Sequence, residues 1–201
     1  MKQAAFFLAI IVATSSATII SAATVKPNAE NVAYVKSACK ATLYSDVCYQ
    51  TLYRYSDSIQ RNPKRLARAA MAISLLQSSR VSAYISSRRK TGYRPYDHRA
   101  VPAVNDCYGN MRSSVSHISD SIRQMRALTS VKDSTDFLFQ MSNVQTWMSA
   151  ALTYLETCTD GFLKVNGGTM ETDIVGRVNS LKKVTSTALA LVNRYAYGGR
   201  Y

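Results

Sequence analysis

Residues 137–162 limit the folds open to this chain more than any other stretch. Phe137, Met141, Val144, Met148, Ala151, Leu155 and Cys158 recur at alternating steps of four and three. That spacing puts them on one narrow face of a helix, the heptad-like seam by which helices pack against one another. The seam ends on a cysteine followed by Asp160-Gly161, where glycine is expected to take the left-handed conformation that stops a helix. A seam so long and narrow needs other helices to cover it.

The rest of the chain supplies them. Gly and Pro number only eight and four, and strand-like alternation is scarce. Residues 31–41 read as a short helix carrying Val32, Val35 and Cys39, and residues 46–55 as a second, capped at Ser45-Asp46. Asn62-Pro63 opens a third, with Leu66, Ala70, Ile73 and Leu76 inward, then Val81, Tyr84 and Ile85. Residues 92–102 read as a linker. Beyond it Val104, Cys107, Met111, Val115, Ile118, Ile122 and Met125 form a stripe. Residues 129–135 are the next turn, with Ser134 or Thr135 as cap of the seam helix. After Asn166-Gly167-Gly168, Ile174, Val178, Leu181, Thr185, Ala188, Val192 and Tyr195 repeat the alternating steps, and residues 198–201 are expected to fray. The expected fold is all-α: an up-down-up-down four-helix bundle over residues 62–197, preceded by a helical hairpin over 31–57.

Residues 1–23 hold one charge, Lys2, then an apolar run over 4–13 and the small residues Ser21-Ala22-Ala23. This is the pattern of a secretory signal peptide, and the run falls short of the roughly 18 apolar residues a membrane span needs. Residues 24–201 are therefore expected to form one secreted domain of charge 24 − 12 = +12. In an oxidising compartment Cys39, Cys48, Cys107 and Cys158 read as two disulfides, with three connectivities open. A four-thiolate zinc site would need close cysteine pairs that the chain lacks. On a straight helix the nine residues from Cys39 to Cys48 would rise about 13–14 Å, so a bridge between them requires a turn. Cys107 begins one long helix and Cys158 ends the next, and in an antiparallel pair those ends lie side by side. No N-glycosylation sequon is present.

Catalytic chemistry is hard to find. His98 and His117 are the only histidines, and neither has a nucleophile or metal ligand at helical spacing. Asp133 and Asp136 read as helix N-terminal charges rather than a catalytic pair. No phosphate loop, Gly-x-Ser-x-Gly element or metal motif occurs. The expectation is a protein without catalytic residues, metal or cofactor.

Two surfaces offer more. Outward positions of the seam helix are Ser142, Asn143, Thr146, Ser149, Ala150, Thr153, Glu156 and Thr157, small and almost uncharged where an exposed helix prefers Lys, Glu, Gln and Arg. Such a face suits close packing, with Asn143, Thr146, Ser149, Ala150 and Thr153 at its centre and Trp147 and Tyr154 flanking it. Its occupant is either another protein or the chain's own hairpin. Residues 54–99 hold eleven Lys/Arg against Asp57 and Asp97, a net 11 − 2 = +9. A solvated helix face mixes signs for i,i+4 pairing. Arg65, Arg68, Arg88 and Arg89 are therefore candidates to hold a polyanion; a plain solvated face is the alternative.

Several strings point to a family. The close pair Cys39 and Cys48, NDCYGNM around Cys107, VQTWMSAALTYLETCTDGF around Cys158 and STALALV near the end together resemble the plant invertase and pectin methylesterase inhibitor family across the expected mature chain. The resemblance implies the bundle and hairpin, disulfides Cys39–Cys48 and Cys107–Cys158, and a noncatalytic inhibitor of the cell wall or apoplast. It implies docking on a target enzyme and occlusion of its substrate cleft. Invertase inhibitors tend to carry a Pro-Lys-Phe element where this chain has LTSVKD over residues 128–133, so the resemblance favours the pectin methylesterase side. Thr187 departs from the family, standing where many relatives have Asn. The family domain also occurs as an enzyme pro-region; a free-standing inhibitor is the expectation, and a pro-region expressed alone is a further reading. Acid invertase as partner, or a wall module binding demethylated pectin without inhibiting, are the other readings. Neither a nucleic-acid partner nor a membrane span is expected.

Overall fold

The computed structural model describes residues 27–90, 97–128 and 133–198. The expected signal peptide, much of the two expected linkers and most of the frayed tail lie outside the described residues. Seven α-helices follow in order: α1 (Ala29–Lys40), α2 (Ser45–Leu52), α3 (Ser56–Ile59), α4 (Pro63–Lys90), α5 (Ala100–Ala127), α6 (Ser134–Asp160) and α7 (Thr169–Gly198), with a 3-10 turn, Tyr53–Tyr55, between α2 and α3.

The four long helices close a bundle in which each packs on two neighbours, α5 between α4 and α6, and α7 between α6 and α4. Side-chain pairs fix the direction of each. Cys107 meets Cys158 near one end of α5 and α6, and Gln124 Nε2 donates to Gln140 Oε1 at 3.1 Å near the other. Gln145 pairs with Asn193, and Thr159 with Lys182, so α6 and α7 are also antiparallel. Ser74 pairs with Thr185 and Tyr84 with Asp173, so α4 and α7 are antiparallel as well, which gives the expected up-down-up-down bundle.

On α6 all seven expected seam residues are buried, as are all seven on α7. On α4 and α5 the expected stripes were partly misplaced. Leu76 is exposed, Ile73, Val115 and Ile122 are only half-buried, and Ser74, Ser78, Ser114 and Ser121 are fully buried instead. The α5 seam runs Val104, Cys107, Met111, Ser114, Ile118, Ser121, Met125, again in steps of three and four. Helical spacing, not apolarity, decides which positions face inward. Ser74 Oγ and Thr185 Oγ1 lie 2.9 Å apart across α4 and α7. Ser74, Ser78, Ser114 and Thr185 form a hydroxyl-bearing waist between two apolar clusters. One contains Met71, Ile118 and Met148 together with the hairpin; the other contains Ile85, Met111, Leu155 and Leu181.

The helix ends also differ from expectation. Asp133 caps α6, its carboxylate accepting from the Asp136 N–H, in place of Ser134 or Thr135. Its carboxylate at the positive end of the helix is the better electrostatic cap. Tyr44, rather than Ser45 or Asp46, precedes α2, with no side-chain cap. Gly161 keeps a right-handed φ of −57°, because further turns through Phe162 and Leu163 continue the helical sense. The left-handed residues are Gln60 and Arg61, φ 51° and 57°, which end α3 and turn the chain into α4.

The hairpin is tied to itself and to the bundle. Asn28 caps α1, accepting from the N–H groups of Glu30 and Asn31. The 3-10 turn interrupts the single helix expected over 46–55, and α3 brings Asp57 back so that its carboxylate accepts from Asn28 N–H and Asn31 Nδ2 at 2.9 and 3.0 Å. Cys39 and Cys48 are bridged, with Cα atoms 5.5 Å apart. Val35, Leu52 and Ile59 are fully buried in the same cluster as Met71 and Met148, and the hairpin rests on α4 and α7.

Candidate functional site

Among the described residues no catalytic constellation is assembled. The His98 ring is almost wholly exposed. His117 stacks on Tyr154 between α5 and α6, ring centroids 5.4 Å apart. Among the described residues no group of three or more His, Cys, Asp and Glu side chains could hold a metal ion, and no helix is long and apolar enough to cross a membrane.

The outer face of α6 is built by the same spacing as its inner seam. Asn143, Thr146, Ala150 and Thr153 stand in steps of three and four, with Thr146 and Thr153 exposed and Asn143 and Ala150 half-buried; Ser149 is exposed beside them. One turn earlier the same row begins with Phe139, 66% exposed. The sequence reading started this face at Ser142 and missed Phe139, although the spacing of four to Asn143 could have found it. From Phe139 to Thr157 the row extends about 27 Å. No charged residue occurs from 137 to 155. The face is also less polar than its composition: Ser142 Oγ donates to the Phe139 carbonyl, Thr153 Oγ1 to that of Ser149 and Thr157 Oγ1 to that of Thr153. Hydroxyls bonded inward in this way leave the threonine methyls outward. Trp147 occupies the heptad step between Gln140 and Tyr154, both of which meet α5. Gln145 bonds Asn193 of α7 on the other flank.

The four candidate polyanion residues do not form one patch. Arg65 and Arg68 lie near the start of α4, where Arg65 reaches Gln60 and both line a small cavity with Arg126. Arg88 and Arg89 lie twenty or more residues on, about 30 Å or more along the axis at about 1.5 Å per residue. They diverge: Arg88 sits over Tyr84 at 5.0 Å, beside α7, whereas Arg89 donates to Asn105 at 2.7 Å and covers Tyr108 of α5 at 4.4 Å. On the α7 side Tyr84 and Arg177 both donate to Asp173. Those bonds, Arg177's first, hold the Asp173 carboxyl below its ordinary range.

Known proteins share the sequence pattern and the fold. Residues 33–191 match the family described as plant invertase/pectin methylesterase inhibitor. Pectinesterase inhibitor 11 of Arabidopsis thaliana is 35% identical over 95% of this chain and 93% of its own. A 21 kDa protein of Daucus carota is 36% identical over 89% and 90%. The crystal structure of a mutant form of a pectin methylesterase inhibitor from Arabidopsis superposes with a TM-score of 0.62 over 79% of this chain and 95% of that one, at 17% identity, which shows the shared fold. The chain belongs to the plant invertase/pectin methylesterase inhibitor family.

Proposed function

We propose that this protein is a secreted, noncatalytic inhibitor of pectin methylesterase that docks through the outer face of α6 and covers the enzyme's substrate cleft. Family membership supplies the class of activity. The observation that carries the site is the uncharged α6 row from Phe139 to Thr157 on a chain whose overall charge is +13. A helix face without charge, and with part of its hydroxyls already bonded to its own backbone, meets a partner with little desolvation cost, and an exposed Phe supplies an apolar anchor. The hairpin packs on α4 and α7, which leaves Thr146, Ser149 and Thr153 exposed.

The test is a parallel titration of pectin methylesterase and acid invertase with the protein and three variants. Thr146→Arg and Ala150→Glu should each cost about 2 kcal/mol or more in binding pectin methylesterase, and Phe139→Ser a comparable amount. Melting temperatures should stay near that of the parent, because these side chains point away from the buried seam. Normal inhibition by all three variants would move the site to another helix. Inhibition of invertase alone would reassign the target.

A further inference from the structure

We propose that the groove between α4 and α5 binds a linear uronate polysaccharide, a sugar chain carrying carboxylates along its length. This surface lies on a different side of the bundle from the outer face of α6 and does not depend on the inhibitory reading. Two cavities, about 230 and 580 Å³, lie end to end along the helix pair. Arg65, Arg68 and Arg126 surround the smaller one, and no carboxylate lines it. Arg112 and Arg123 line the larger, with Asp120 bridged to Arg123 at 2.6 Å as its single carboxylate. Arg89 stands over Tyr108 at the far end. Three of the four arginines singled out in the sequence thus fall in one groove once α5 is laid beside α4, joined there by three that the sequence reading did not select; Arg88 is turned away.

The lining chemistry selects the ligand. Every cation lining the two cavities is arginine, whose planar fork matches a carboxylate in two parallel hydrogen bonds. Arg112 to Arg126 covers about 21 Å of helix, a spread that suits repeated carboxylates rather than one small anion. Between the guanidinium groups stand Ser79, Ser82, Ser86, Ser116 and Ser119, donors and acceptors for sugar hydroxyls. A nucleic-acid strand would call for aromatic platforms, and Tyr108, the one aromatic in the lining, is already covered by Arg89. The field at the smaller end is positive enough to act on Lys64, whose ammonium is pushed below its ordinary value by burial and then by Arg68.

Calorimetric titration with decagalacturonate tests this, using two charge-matched quadruple variants. Arg65→Gln/Arg112→Gln/Arg123→Gln/Arg126→Gln removes four groove charges; Lys36→Gln/Arg54→Gln/Arg80→Gln/Lys164→Gln removes four exposed charges elsewhere. The groove variant should lose about tenfold or more in affinity and the control less than about threefold. The fully methyl-esterified oligomer should not bind, and the groove variant should still inhibit the target enzyme as the parent does. Equal losses in the two variants would reduce the effect to net charge and overturn the proposal. Binding of polyphosphate of the same length as tightly as decagalacturonate would overturn the uronate assignment. Should the groove variant misfold, amide shifts of the parent protein decide: changes centred on Ser82, Ser116 and Arg123 support the groove, and changes confined to other helices refute it.

Discussion

Asp97 is one of only two acids in the basic segment over residues 54–99, and the fold makes it a fastener. Its carboxylate accepts from the Arg99 backbone N–H at 2.9 Å, from Arg99 Nε and Nη2 at 3.0 and 2.9 Å, and from the Asn166 backbone N–H at 2.8 Å. The start of α5 is thereby pinned to the loop between α6 and α7. The Arg99 guanidinium, then the two backbone N–H groups, hold the carboxyl well below the usual carboxylate range. A folded pKa below the unfolded one contributes stability that is complete above the unfolded value, about 4, and is lost as pH falls below it. The melting temperature is therefore expected to hold from pH 7 to about 5 and to decline below about 4. Asp97→Asn should melt lower throughout the neutral range and show a shallower acid decline. Parallel acid limbs for the two proteins would show that Asp97 is not a source of the pH dependence. Nothing near Asp97 in the chain announces Asn166, 69 residues away, so this contact was not legible beforehand.

At the scale of the helix, legibility followed side-chain chemistry. The seams of α6 and α7 were readable because nearly every inward position is apolar. Those of α4 and α5 were not, because serine occupies four inward positions and the eye moves to the nearest aliphatic residue, as it did to Leu76, Val115 and Ile122. The buried serines differ from one another, and the difference is measurable. Ser114 Oγ has no hydrogen-bond partner, so Ser114→Ala removes an unsatisfied hydroxyl, adds helix propensity and should stabilise by about 1 kcal/mol. Ser74→Ala strands its 2.9 Å partner, Thr185 Oγ1, inside the waist and should cost about 1 kcal/mol despite the same gain in propensity. Urea denaturation of both variants checks this. The same sign for both would mean that cavity formation, not hydrogen bonding, governs the waist. The outer row of α6 was partly legible for the opposite reason: its small residues stood out, while Phe139, a bulky residue one turn before them, was left out of the row.

Across the whole molecule, the two disulfides staple different things, and their expected pairing is the one observed. Cys39–Cys48 closes nine residues within the hairpin, and Cys107–Cys158 closes 51 between two bundle helices. Loop entropy alone assigns about 3 kcal/mol to the first and about 4 kcal/mol to the second. Replacing both members of the longer bridge by Ala is therefore expected to lower stability about 1 kcal/mol more than the same treatment of the shorter one. Spacing did not reveal where the hairpin sits. Its buried residues belong to the same apolar cluster as Met71, Ile118 and Met148 of the bundle, which argues against a detachable appendage. Loss of the Cys39–Cys48 bridge should accordingly shift a single cooperative transition rather than split it, because Val35, Leu52 and Ile59 still need the faces of α4 and α7 to stay dry. Calorimetry and circular dichroism on the two double variants give the decisive comparison. Two resolved transitions in the Cys39→Ala/Cys48→Ala protein would mean that the hairpin folds independently of the bundle; one transition at a reduced temperature would mean that all seven helices fold as a unit.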